Sequence, residues 1–323
     1  TTLIARAEAA APAWAEAAPE RRAQLLLEVL HRLNRASFLM ANAVMHTTGQ
    51  GFAMAFQAGG PHAQDRGLEA VAYAMEELAK VPAEATWTKP MGKESLTLRK
   101  SYRAVPRGIG LVIGCATFPT WNGYPGIFAS LATGNAVIVK PHPAAILPLA
   151  LTVRTAREVL SEAGFDPNVI QLAPDTPEKP IAAELATHPA IGIVDFTGGP
   201  AFGAWLRTHV GANKALHTEE AGINPVVIHS TADFAGLCRN LAFSLSLYSG
   251  QMCTAPQNIF APAGGIATNE GHKTFEEVGA ALAAAADALL ADPARAAGVL
   301  GAIQNPATLD RIAQSRSLGR VVL

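Results

Sequence analysis

A cysteine on a short polar loop is the residue of this chain best suited to covalent chemistry. Cys253 lies in SGQMCTAP, between a helical stretch and a short apolar run, with Gly250 free to take a turn that other residues avoid and Thr254 beside the thiol. A loop thiol can ionise to a strong nucleophile, and it can equally be a small apolar core residue; the loop alone does not choose. Upstream, Glu219 and Glu220 stand together before Gly222 and an apolar strand. An ionised carboxylate in a segment suited to burial needs a task or a partner, so one of the two is a candidate general base, the other reading being a solvated pair at a strand end.

Two further places suit a phosphate-bearing ligand. Lys140 closes the apolar run AVIVK before Pro141, which delivers its ammonium to the carboxyl edge of a sheet, where it can bind a ribose or phosphate or simply cap the strand in solvent. FTGGPAFG, residues 196–203, is a glycine-containing turn from a strand into a helix, able to present backbone N–H groups to a pyrophosphate but a weak signal alone.

The elements that must hold these residues follow from periodicity. Residues 2–46 and 60–81 repeat apolar positions at helical spacing and read as scaffold helices. Ser95 to Ala104 alternates with period two and reads as an exposed strand, over 95–105, that pairs with another subunit. From Pro106 a strand, loop, helix rhythm sets in. LVIGC precedes a helix after Pro125, AVIVK one from about Leu147, VIQLA one near Ile181, and GIVDF one from about Pro200. This is the pattern of a doubly wound parallel α/β sheet. A second α/β unit follows, so the expected division is 1–217 for the helices and cofactor-binding domain and 218–323 for the first part of a catalytic domain. The second unit is expected to hold a helix from Asp233 to Tyr248, the strand QNIFAP and an Ala-rich helix from Thr274 to Ala291.

The composition narrows the function classes. With 323 residues, 50 % hydrophobic and 16 % charged, the chain can bury more than one core. A net charge of −1 without a basic block excludes the electrostatic footprint of a nucleic-acid binder or of an anionic-membrane binder. No apolar run approaches the length of a membrane span, and three cysteines without paired spacing argue for a reduced, cytoplasmic setting without disulfide or zinc. Both ends read as cut, the last residues as the start of a new strand.

Taken in order, PRGIG, TGNAVIVKP, FTGG, TEEAGINP and GQMC resemble the landmarks of the aldehyde dehydrogenase superfamily, and the 34 residues from Glu219 to Cys253 match its register, whereas Glu220 is displaced by one. The resemblance implies that Cys253 attacks the aldehyde, that hydride leaves to a nicotinamide, and that Glu219 activates the water that hydrolyses the thioester. Relatives that transfer the acyl group to coenzyme A generally lack this glutamate, so a CoA-acylating enzyme is the less favoured alternative. The family's oxyanion asparagine falls on Thr117, with Asn122 out of register nearby. Its cofactor contacts fall on Lys140, His142, Phe196, Thr197, Gly198, Gly199, Gly203 and Gly222.

Where NAD-preferring members carry a glutamate, this chain has Pro143, which points to NADP in preference to NAD because no carboxylate repels the 2′-phosphate. The string TFPTWNGYPGIFASLATGNAVIVKPHP is similar to the phenylacetic acid degradation (PaaN) subgroup and implies a ring-opened, coenzyme A-linked semialdehyde as substrate. A homo-oligomer, dimer or tetramer, is the family expectation. The family also continues past Leu323 with a segment that holds the nicotinamide ribose, and a catalytically impaired cofactor-binding remnant is the rival reading.

Overall fold

The computed structural model describes residues 2–320. Five helices lead: α1 (Thr2–Glu16), α2 (Pro19–Arg35), α3 (Ser37–Thr48), α4 (Phe52–Gly59) and α5 (Pro61–Ala79). The periodicity anticipates all but α4, an apolar helix of just over two turns placed between Gly49 and Gly51 on one side and Gly59 and Gly60 on the other. Strands β1 (Glu84–Met91) and β2 (Glu94–Ser101) form an antiparallel hairpin closed between Met91 and Glu94. The exposed strand expected near residue 95 is β2; its partner β1 was not expected, because its alternation is interrupted by Lys89 and Pro90. The hairpin is exposed along nearly its whole length, Trp87, Leu96 and Leu98 included.

A five-stranded sheet occupies the middle of the chain. It is built from β3 (Ile109–Ile113), β4 (Ala136–Lys140), β5 (Ile170–Leu172), β6 (Ile191–Gly198) and β7 (Ala215–Glu220), in the order β5-β4-β3-β6-β7 with every pair parallel. Crossovers run through α6 (Pro119–Ala132), α7 (Ile146–Glu162), α8 (Ala182–Thr187) and α9 (Pro200–His209). The chain starts at β3, builds outward to β5, then returns to lay β6 on the other side of β3. That reversal puts a crevice at the carboxyl ends of β3 and β6, where open α/β sheets bind ligands. Helix α6 begins at Pro119, earlier than the Pro125 expected from sequence. Pro119 suits the first turn because its missing N–H would be unpaired there anyway, whereas Pro125 sits inside and gives up one backbone bond.

Helices cover both faces of the sheet. One core joins α2, α5, α6 and α7 to Val112, Val137 and Val139; the other joins α1, α8 and α9 to Leu111, Ile138 and Val194. Strand β7 belongs to this sheet throughout, so the domain boundary expected after His217 falls inside a strand. Beyond it come β8 (Asn224–Val227), β9 (Ser230–Thr231), α10 (Phe234–Ser246), β10 (Pro256–Phe260), β11 (Ile266–Thr268), β12 (Gly271–Lys273), α11 (Phe275–Leu290), α12 (Pro293–Val299) and α13 (Ala307–Ser315). Their core is small, centred on Ile228, Phe234, Leu241, Ile266 and Val278. The strand expected at the very end lies outside the described residues. Among the described residues no helix is long and apolar enough to cross a membrane.

The first helices are fastened to the sheet by polar bonds at helix ends. The Trp14 indole N–H donates to the carbonyl of Leu131 (2.9 Å), and the buried Arg22 guanidinium donates to Ala132 (2.9 Å) and to the carbonyls of Ala15 and Ala17. These carbonyls lie at or just past the C-terminal ends of α1 and α6, where helices leave acceptors short of partners. Arg22→Met keeps the stem and removes the donors. It should cost about 2–3 kcal/mol and lower the melting temperature of the full-length protein by about 5 °C. An unchanged melting temperature would show that water replaces the guanidinium freely.

Candidate active site

The loop that carries Cys253 is held in a conformation that few residues adopt unaided. Tyr248, Ser249 and Gly250 follow one another at φ 52°, 55° and 70°. Two consecutive non-glycine residues in the left-handed region cost roughly 1–3 kcal/mol each, so the surroundings must impose them. The buried Tyr248 hydroxyl donates to the carbonyl of Thr48 (2.6 Å), and its ring meets Phe118 edge-on at 5.6 Å. The Ser249 hydroxyl donates to Gly301 (2.8 Å), and the Gln251 carboxamide donates to Ala302 (2.9 Å) and accepts from the N–H of Gln304 (2.7 Å). Gln304 itself donates to Thr48 (2.6 Å). Two residues on, Gln50 donates to the carbonyl of Thr117 (2.6 Å). The corner Thr48–Gln50 therefore ties the cysteine loop, the segment 301–304 and the loop after β3 to one point. Sequence reasoning missed this corner; its only local signal is Gly49 at φ 65°, ending α3.

Cys253 is exposed at the end of that turn. Asn224, at the start of β8, donates its carboxamide to the carbonyls of Cys253 (2.6 Å) and Ala255 (3.1 Å), one on each side of Thr254. Gly222 lies beneath: a Cβ there would come within 3.1 Å of the Cys253 carbonyl. Gly222 thus packs under the nucleophile loop, whereas the family resemblance had put it at the cofactor. The thiol is pushed above its ordinary range, chiefly by loss of hydration and next by the Glu219 carboxylate, with Cys115 adding to it and the N–H groups of Cys253 and Thr254 opposing. This thiol is therefore protonated at neutral pH when nothing is bound, and its activation requires the general base or a bound ligand.

Thr117 and Asn122 converge on Cys115. The Asn122 carboxamide donates to its sulfur at 3.4 Å, the Phe118 N–H at 3.4 Å, and the Thr117 hydroxyl stands 3.7 Å away. Both polar side chains considered as oxyanion donors thus lie beside one sulfur that itself acts on Cys253.

Strand β7 separates the two glutamates. Glu220 accepts from Arg207 of α9, which holds its carboxyl below the usual range, and lies over Gly203, where a Cβ would leave no room for it. Glu219, one residue back, points to the opposite face, shared with His217 and with Asp195 of β6. Strand β7 is partly exposed rather than buried, so the carboxylates carry less desolvation cost than the apolar sequence around them suggested.

At the other side of the sheet edge, Lys140 is buried and paired with Asp175 at 2.7 Å. Asp175 also accepts from the N–H of Ile181 (3.1 Å). The expectation that no carboxylate stands beside Lys140 is therefore corrected: Asp175, in the glycine-free segment APDTPEKPIAA, supplies one. His142 caps the turn Pro143–Ala145, its Nδ1 accepting from Ala144 (3.1 Å). Loss of hydration, and then the Lys140 ammonium, hold His142 below its ordinary value against the pull of Asp175, so it is neutral at pH 7 and offers no charge to a phosphate. Phe196 is buried against Phe202 (5.3 Å) and acts as core. Thr197 and Gly198 end β6 on the open edge, and Gly199 precedes α9 with open space beside it. Helix α9 starts with Pro200 and no side chain caps it, so its N–H groups suit an anionic group such as a pyrophosphate.

The aldehyde dehydrogenase family model matches residues 1–319. The chain belongs to the aldehyde dehydrogenase family. The structure is similar to that of an NAD-dependent aldehyde dehydrogenase from Burkholderia multivorans, with a TM-score of 0.95 and 57 % identity over 99 % of this chain and 58 % of that one. An NADP complex of the glyceraldehyde-3-phosphate dehydrogenase GapN from Methanocaldococcus jannaschii shares the fold, at a TM-score of 0.65 and 19 % identity over 80 % of this chain and 54 % of that one. In sequence, the N-succinylglutamate 5-semialdehyde dehydrogenase of Chromobacterium violaceum is 28 % identical over 81 % of this chain and 51 % of its own length. The chain thus spans about half of that curated relative.

Free Cys253 should react with iodoacetamide along a pH profile whose midpoint lies above that of an ordinary thiol. Glu219→Gln should move the midpoint down by removing a neighbouring negative charge. Coincident profiles for the two proteins would mean that Glu219 does not act on this sulfur.

Proposed function

We propose that this chain carries the cofactor cradle and the nucleophile of an NAD(P)-dependent aldehyde dehydrogenase that releases a free carboxylic acid. The observation that carries the reading is an exposed Cys253 on a loop that Asn224 braces, near enough to the Glu219 carboxylate for its charge to hold the thiol up. Cys253 adds its sulfur to the aldehyde carbon and forms a thiohemiacetal, the oxyanion taking hydrogen bonds from the Cys253 N–H and from Thr117, with Asn122 beside it. A bound nicotinamide dinucleotide would supply the hydride acceptor. The thioester left on the sulfur is cleaved when Glu219 takes a proton from water and the water oxygen attacks the acyl carbon, returning the thiol and an acid. A glutamate placed to activate water favours this outcome over acyl transfer to coenzyme A.

The dinucleotide would lie along the edge formed by Lys140, Thr197, Gly198 and Gly199, with a pyrophosphate over α9. Asp175 beside Lys140 opposes the further negative charge of a 2′-phosphate, so the reading favours NAD, against the NADP preference that Pro143 suggested. The NAD-dependent relative at 57 % identity supports the same choice. The similarity of residues 117–143 to the phenylacetic acid degradation subgroup supports a ring-opened, coenzyme A-linked semialdehyde as substrate. The exposed apolar side chains of the β1–β2 hairpin suit pairing with a second copy of the chain.

Cys253→Ala in the full-length protein should abolish aldehyde-dependent reduction of the dinucleotide while leaving dinucleotide binding nearly unchanged. Glu219→Gln should keep a single-turnover burst and slow steady-state turnover by about a hundredfold or more. A panel of aliphatic, aromatic and coenzyme A-linked aldehydes then ranks the substrates. Turnover retained by Cys253→Ala would remove the covalent route.

Asp175→Asn should raise the ratio of NADP to NAD specificity by about tenfold, as loss of one nearby charge predicts. A ratio unchanged by the substitution would place the 2′-hydroxyl elsewhere.

A further inference from the structure

One half-buried carboxyl has no part in the steps above. Asp195 lies in the middle of β6, in register with Val112 of β3 on one side and His217 of β7 on the other. Its side chain turns toward α6, into space that a side chain at Gly126 would fill: a Cβ there would stand 2.6 Å from Asp195 Oδ2. Among the described residues no hydrogen-bond donor contributes to holding it ionised, and burial pushes it up to about 6, with Glu219 adding to the rise and His217 opposing it.

The titratable groups that face Asp195 are few. On β7 they are His217 and Glu219, Glu220 being turned to α9. β3 presents Val112. The only ionisable side chain of α6, Tyr124, bonds Thr152 of α7 at 2.9 Å. In the next layer, His62 and Arg66 of α5 engage the Trp121 ring. Glu219 sits two residues beyond the position opposite Asp195 on the same face of the neighbouring strand, which puts the two Cα atoms roughly 8 Å apart.

We propose that Asp195 acts through Glu219, as a positioning residue for its proton: after Glu219 has taken a proton from the hydrolytic water, that proton passes to the Asp195 carboxylate. The transfer balances, one carboxylic acid and one carboxylate exchanging roles with no change in charge. It frees Glu219 for the next turnover, and Asp195 later returns the proton to solvent. The assignment rests on the dehydrogenase reading above and adds to it a station that is open only while Asp195 is ionised. When pH falls through the Asp195 range the station is already filled, and hydrolysis of the acyl-enzyme slows.

The test uses full-length protein and rapid mixing with an aldehyde, following the hydride-transfer burst and the later acyl-enzyme hydrolysis as functions of pH. The wild type should show hydrolysis falling on an acid limb near pH 6, a limb that His217→Gln retains. Asp195→Asn should leave the burst intact, slow hydrolysis by about tenfold at neutral pH and remove that limb. An infrared carboxyl band that titrates near pH 6 and disappears in Asp195→Asn identifies the group without reference to turnover. A limb that survives Asp195→Asn, or that moves only with His217, overturns the proposal while the dehydrogenase reading stands. A wild type that shows no burst overturns both, and a missing carboxyl band overturns the assignment by itself.

Discussion

The hydroxyl of Tyr248, reaching across 200 residues of sequence to the carbonyl of Thr48, holds the turn that presents Cys253. With the bond of Ser249 to Gly301 and those of Gln251, it keeps Tyr248 and Ser249 in the left-handed region and gives the cysteine a fixed direction. The same carbonyl accepts from Gln304, and Gln50 fixes the loop of Thr117, so one corner at the end of α3 sets the spacing between Cys253 and Thr117. A small motion there would misplace both groups together. Geometry errors of this kind cost far more in rate than in stability, because a reacting pair must be held within a fraction of an ångström.

A second constraint comes from the pleat. Successive side chains of β7 point to opposite faces, so the adjacent glutamates cannot serve one site. Arg207 and the room left by Gly203 draw Glu220 onto α9, and Glu219 is left on the face it shares with Asp195 and His217. The pleat shows that the two glutamates have different surroundings, Glu220 being held by Arg207. Likewise the sheet order reverses between β3 and β6, so Cys115 and Thr117 after one strand and Thr197 at the end of the other arrive at one crevice.

The parts legible in the sequence are those that local pattern determines. Short apolar runs bounded by glycine and proline gave the parallel strands, and helical periodicity gave the scaffold, because each is fixed by which face must be buried. Helix α6 was misjudged at its start because Pro125 reads as a break, though packing on both sides tolerates it inside the helix. The hairpin partner β1 was not legible because Lys89 and Pro90 interrupt its alternation, whereas β2, equally exposed, keeps it. The residues that brace the site were invisible for a different reason. Gln50, Asn224 and Asp175 act through contacts with chain segments 67, 29 and 35 positions away, and nothing in their neighbours announces such a bond. Asp175 sets a carboxylate beside Lys140 that Pro143 gave no sign of.

Several of these features work against stability, and their direction explains why they sit together. Asp195 is half-buried with its carboxyl raised, so it costs the folded state nothing below the unfolded value near 4 and increasingly more as pH rises to about 6, at most on the order of 3 kcal/mol above that. Lys140 and Asp175 are both desolvated, a pair whose attraction does little more than offset its burial. Tyr248 and Ser249 add backbone strain. An apolar side chain at each charged position and a glycine at each strained one would relieve these costs. What such changes would remove is a carboxyl of unusual proton affinity behind Glu219, a fixed charge pair at the end of β4, and a rigid turn under the Cys253 thiol. The penalties lie where the chemistry needs groups that water would otherwise neutralise or let move, and the large apolar cores on both faces of the sheet supply the stability that offsets them.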